Sequence, residues 1–150
     1  MTYQITGISP DQLDKIAQAP GTVRVRATSK PGFPCRVTLE DAEPGEELLL
    51  FNHVSHDVDS PDRNSYAIYA RTAAEAAARY TDAVPPIFAD RTLAMRAFGA
   101  DAMLKTASLS LPGDADKTIR QLFELDDIAY IDVHNAAHGC FAARVERFES

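Results

Sequence analysis

Apolar and polar residues alternate over "TVRVRAT", with Val23, Val25 and Ala27 on one side and Arg24 and Arg26 on the other. A period of two predicts a half-buried strand. "KPGFP" interrupts it, and "CRVTL" resumes the alternation, with Cys35, Val37 and Leu39 opposite Arg36 and Thr38. "EDAEPGEE" follows as an acidic turn. "LLLFNHV" is a continuous apolar run, which predicts a central strand covered on both faces. The polar stretch "SHDVDSPDRNS" then leads into "YAIYAR", another strand. A connection of about ten residues between strands is long enough to be suspected of function.

Three stretches read as helices. In "ISPDQLDKIAQAPG", Ser9 is a good N-cap, Pro10 fits the first turn and Gln12 completes a capping box. Leu13, Ile16 and Ala17 share a face, and Pro20 and Gly21 stop the helix. "TAAEAAARY" combines strong helix propensity with a Glu75–Arg79 pair one turn apart. "PGDADKTIRQLFEL" is the clearest helix, capped by Asp114 and apolar at Ile119, Leu122 and Phe123. "TLAMRAF" and "AMLKTASLSL" form a hairpin around "GAD", and "IAYIDVH" and "CFAARVERF" form the last one. The pattern predicts an α+β fold: a single domain over residues 1–150, with a curved, mainly antiparallel sheet of about seven strands and two or three helices. The "ADKTIRQLFEL" helix is expected to pack against one face of that sheet.

Composition narrows the function classes. The net charge is −7, which argues against general nucleic-acid binding, because that affinity comes from neutralising phosphates. It also argues against anionic membrane surfaces. No apolar run reaches the length of a membrane span. The N-terminal stretch lacks a basic flank followed by an apolar segment, so a cytoplasmic location is expected. Arginine (11) far exceeds lysine (4), beside 24 alanines. GC-rich codon usage explains both excesses, whereas anion recognition explains only the arginines.

Chemistry-bearing residues gather in "VHNAAHGCFAARV", residues 133–145. With a five-residue loop from Asn135 to Gly139, His134 and Cys140 lie opposite each other. Asp132 then faces Ala142, and Tyr130 faces Arg144. Tyr130, Asp132, His134, Cys140 and Arg144 share one face; Ile131, Val133, Phe141, Ala143 and Val145 share the other. Four chemistries suit these residue types. Cys140 beside His134, with Asp132 orienting the ring, is a thiolate–imidazole arrangement, and a small packed cysteine next to a turn histidine is its structural alternative. Cys35, His134, His138 and Cys140 are zinc-compatible ligands, but their spacing matches no zinc motif, and no metal or cofactor is expected. A Cys35–Cys140 disulfide would close a long loop, against the redox state of a cytoplasm. Anion capture draws on Arg36, Arg63, Asn52, Asn135 and Gly139. Phosphate-cradling loops and the G-x-S-x-G elbow are absent from the sequence.

"GFPCRVTLEDAEPGEELLLFNH", "SPDRNSYAIYAR", "TLAMRAFGADAML" and "YIDVHNAAHGCFAARVERF" together resemble domain of unknown function 1203, an uncharacterised bacterial family. The resemblance runs from Gly32 onward and implies a bacterial, single-domain protein. It brings no catalytic residue with it. The expected function is binding of a small anionic or polar molecule at one end of the sheet. Cys35, Arg36, Asn52, Arg63, His134, Asn135 and Cys140 are expected to converge on one pocket. The alternatives are an enzyme using Cys140 with His134, and a protein-interaction module whose partner the sequence does not identify.

Overall fold

The structure is a computed structural model describing residues 2–149. Nine strands are present among the described residues, arranged in two sheets rather than one. Strands β1 (Tyr3–Thr6), β5 (Arg79–Thr81), β6 (Leu93–Phe98), β7 (Leu104–Ser110), β8 (Tyr130–Asn135) and β9 (Phe141–Arg147) form a six-stranded sheet in the order β5-β1-β9-β8-β6-β7. Strands β2 (Val23–Arg26), β3 (Glu47–His56) and β4 (Asn64–Arg71) form a second sheet with β3 in the middle. All these pairings are antiparallel. The fold is a mostly antiparallel α+β single domain.

Helix α3 (Ala115–Phe123) buries Ile119, Leu122 and Phe123, as its apolar stripe requires. They share a core with Tyr3, Ile5, Met95, Ile131, Val133 and Val145 of the larger sheet. The short helix α2 (Pro86–Ala89) adds Ile87 and Phe88 to the same core. The Asp114 side chain makes no cap bond; its carbonyl instead accepts from the Thr118 amide at 2.9 Å and hydroxyl at 3.0 Å. Helix α1 (Leu13–Gln18) follows a 3-10 turn over Pro10–Gln12. The Ser9 hydroxyl accepts from the Asp11 amide at 3.2 Å, but among the described residues Gln12 returns no bond to complete a capping box.

Two segments depart from their sequence periodicity. "TAAEAAARY" is not a helix: it is a turn leading into β5. Its alanine-rich face offers little apolar surface to a core, and a helix this short is marginal alone. Extended pairing wins instead. The Ala78 amide donates to the Val37 carbonyl at 2.8 Å, the Ala78 carbonyl accepts from Gly7 at 2.9 Å, and Tyr80 pairs with Ile5. "CRVTL" is likewise a turn, not a strand. The Leu39 amide donates to the Cys35 carbonyl, and the Cys35 amide to the Glu40 carbonyl, both at 2.9 Å. Leu39 takes a left-handed φ of 57°, which ends strand alternation. Cys35, Arg36, Val37 and Leu39 are therefore all buried.

The closing hairpin forms between the expected strands but in a different register. The Asn135 amide donates to the Cys140 carbonyl at 2.9 Å, and the Gly139 amide to the Asn135 carbonyl at 2.8 Å. The loop is thus four residues, Ala136 to Gly139, and Gly139 supplies its left-handed φ of 77°. A bulge then inserts Ala142. As a result His134 faces Phe141 rather than Cys140, Asp132 faces Arg144 rather than Ala142, and Tyr130 faces Glu146. The bulge also moves Phe141 off the Ile131–Val133 face and into a second core, with Leu13, Cys35, Val37, Leu49, Phe51, Ile68 and Ala70.

The polar face of this hairpin is not a solvated surface, because the second sheet covers it. Asp132 is 1% exposed and holds Arg144 with bonds of 2.7 and 3.2 Å. Arg144 also donates to the Ser55 carbonyl of β3 at 3.2 Å. The His56 Nδ1–H donates to the Asp62 carbonyl at 2.8 Å, leaving Nε2 to accept from the Tyr130 hydroxyl at 2.6 Å. The His134 ring packs edge-on against Tyr66 and Phe141, and its Nδ1–H donates to the Gly139 carbonyl at 2.9 Å. Burial outweighs that last bond and holds the His134 pKa below 6.5. Burial, followed by the Arg144 charge, lowers His53 as well.

Two predictions follow from this packing. A Cβ on Gly7 would sit 2.0 Å from the Val37 carbonyl oxygen. Gly7→Ala is therefore expected to cost at least about 1–3 kcal/mol, read as a lower urea midpoint; an unchanged midpoint contradicts the close approach. The second concerns pH. The unfolded histidines take up protons near 6.5 and the folded ones only at lower pH, so this contribution to stability is whole above that value and is lost as pH falls through it. NMR titration is expected to place both folded midpoints below 6.5, with urea stability lower at about pH 5.5 than at about pH 7.5. Midpoints at or above 6.5 contradict the burial of these rings.

Candidate functional site

A cleft of about 640 Å³ opens where the turn after β2, the face of the second sheet and the β8–β9 loop meet. One wall is apolar: Pro34, Leu50, Ala67 and Tyr69. Leu50 and Tyr69 are paired across β3 and β4 and point away from the buried Leu49 and Ile68. The β8–β9 loop supplies Asn135, Ala136, Ala137, His138 and Cys140, and Gly32, Arg36, Arg91 and Thr92 complete the lining. None of the lining residues is an aspartate or glutamate, although the chain carries 22 of them. The cleft therefore runs against the charge of the protein.

Arg36 is the unusual member. It is 2% exposed, yet among the described residues no carboxylate reaches it. Its Nε donates to the Phe141 carbonyl at 2.8 Å and its Nη1 to the Pro34 carbonyl at 2.7 Å. Its Nη2 has no acceptor among the described residues. Burial brings the Arg36 pKa down to about 10; Cys140, Cys35 and Asp41 nearby oppose that shift in part, and the Arg91 charge adds to it. The group remains a cation at neutral pH. A buried charge hydrogen-bonded to carbonyls and to no carboxylate is costly unless a counter-charge completes it. Arg91 differs: Asp41 takes it in a two-pronged bond of 2.7 and 3.1 Å, and the Ile87 carbonyl accepts from it at 2.9 Å.

Of the expected site residues, Arg36, Asn135 and Cys140 line the cleft. Cys35 lies beneath it, fully buried, where its sulfur accepts from the Thr38 and Arg71 amides at 3.4 and 3.3 Å. His134 lies behind the loop in the inter-sheet contact, and among the described residues no hydrogen bond joins its ring to Cys140. Asp132 is committed to Arg144. Asn52 is exposed on the same face as Leu50, opposite Ala67, but outside the lining. Arg63 lies apart in the β3–β4 connection, paired with Asp57 on the surface. Both cysteines are free thiols, so no Cys35–Cys140 disulfide is present. Among the described residues no three of His, Cys, Asp or Glu gather to hold a metal ion, and no helix is long and apolar enough to cross a membrane.

Sequence reading missed Pro34, Leu50, Ala67, Tyr69, Arg91 and Thr92. Tyr69 was available from alternation, since "YAIYAR" places Ala67 and Tyr69 on the face opposite Ile68 and Ala70. Arg91 had no such signal, because its partner Asp41 lies 50 residues away.

No curated protein and no solved structure matches this chain. A family model described as "Protein of unknown function (DUF1203)" matches residues 32–147. That span includes the cleft lining from Gly32 to Cys140, and the chain belongs to the DUF1203 family.

Proposed function

We propose that the protein binds a small anionic or polar molecule in this cleft. The observation that carries the reading is Arg36: a buried guanidinium with no carboxylate partner, lining a cleft free of acidic residues. An incoming anion supplies the missing counter-charge, in a setting where a charge-assisted hydrogen bond is stronger than in water. The cleft volume falls in the range of small-molecule sites. Asn135 and Thr92 add side chains able to orient a polar ligand.

The test is thermal unfolding across a panel of small anions. A cleft ligand at a hundred times its Kd is expected to stabilise by about 2.7 kcal/mol, or roughly 5–10 °C. Ala137→Glu places a carboxylate at an exposed lining position and is expected to abolish the shift while leaving the unliganded Tm nearly unchanged. Anions that stabilise both proteins equally, or none that stabilises the wild type, overturn the reading.

A further inference from the structure

The cleft's charge and wall chemistry narrow the ligand further. Arg91 is neutralised in place, because both oxygens of Asp41 bind it. His138 is exposed at the rim. Arg36 therefore contributes the one buried cation in the lining that lacks a protein counter-charge among the described residues. Its Nε–H and one Nη1–H go to carbonyls, which leaves the other Nη1–H and both Nη2–H donors for a ligand. A single donor edge with a single uncancelled charge suits one anionic head. A second negative charge directed along the wall of Pro34, Leu50 and Ala67 would lose its hydration there. A neutral apolar molecule would leave the Arg36 charge unmatched.

On the reading of the cleft as an anion site, we infer that its ligand class is the amphipathic monocarboxylates. The carboxylate meets Arg36 Nη2, and an aliphatic or aromatic body lies along Leu50, Ala67 and Tyr69. Half-exposed Leu50 and exposed Ala67 gain what that body covers.

Cys140 provides a built-in reporter. It lines the cleft and is partly exposed, whereas Cys35 is fully buried. An alkylating reagent therefore reaches Cys140 first, and a cleft ligand slows it.

The experiment compares octanoate, phenylacetate, acetate, inorganic phosphate and 1-octanol as probes. It reads Tm and the rate of Cys140 alkylation by iodoacetamide, located by mass spectrometry. Octanoate or phenylacetate is expected to bind roughly tenfold or more tightly than acetate, given the apolar area covered, and to slow Cys140 alkylation several-fold. Leu50→Ser is expected to weaken octanoate roughly five- to tenfold and leave acetate unchanged. If Leu50→Ser does not fold, Ala67→Asp, at an exposed position of the same wall, must abolish octanoate binding. Phosphate binding more tightly than either monocarboxylate, in a manner lost in Ala137→Glu, overturns this ligand class and leaves the anion reading standing. Octanol binding as tightly as octanoate overturns both, and so does failure of every probe to shift Tm or protect Cys140.

Discussion

Arg36 ties the two sheets together. Its amide donates to the Tyr69 carbonyl of β4 at 3.0 Å, and its carbonyl accepts from the Ile8 amide just past β1 at 2.9 Å. Its side chain reaches the Phe141 carbonyl at the start of β9. One residue thus makes hydrogen bonds to the smaller sheet, to the chain leaving the larger sheet and to the closing hairpin. These bonds explain the turn around it. A strand over residues 35–39 would have pointed Arg36 to one side in regular alternation; the turn, with Leu39 in a left-handed conformation, buries it together with Cys35 and Val37.

That architectural role leaves a chemical remainder. Carbonyl oxygens satisfy the geometry of two guanidinium nitrogens but do not cancel the charge. Asp132–Arg144 and Asp41–Arg91 show that this fold elsewhere places a carboxylate against a partly buried arginine. Arg36 is treated differently, and the difference coincides with a cleft. The inter-sheet contact and the cleft are also chemically distinct. The first pairs His56 with Tyr130 and Asp132 with Arg144, and the Arg144 guanidinium lies over the Tyr130 ring. The second sets an apolar wall beside Arg36 and the polar side chains of Thr92, Asn135 and His138. The Asp132 and His134 side chains belong to the first, and Cys140 to the second.

Elements with their own apolar signal were legible in the sequence. The stripe of Ile119, Leu122 and Phe123 made α3 certain to pack, and the run around Leu48–Phe51 marked the middle strand. Leu50 shows the limit of that run, since a residue in a continuous apolar stretch can still face a cleft rather than a core. Register was less legible. The bulge lies at Ala142 beside Ala143, and two small neighbours give no pattern to say which of them is extra. "TAAEAAARY" followed its local propensity on paper, but backbone bonds to Gly7 and Val37 decide its form, and those partners are distant in sequence. Arg36 and Cys140 were recognised as candidates from their chemistry. Their meeting in one cleft depends on the bulge and on the turn at Leu39, neither of which a period of two can express.

The central claim is that Arg36 is a buried cation whose counter-charge comes from a ligand. Nitrogen-15 NMR of the arginine side chains tests it directly. The Arg36 Nε–H is expected to be protected from solvent exchange by the Phe141 carbonyl, and titration with a small carboxylate is expected to shift the Arg36 guanidinium resonances saturably while those of Arg63 stay fixed. An Arg36 signal that exchanges freely, or that does not respond while an anion binds elsewhere, contradicts the account.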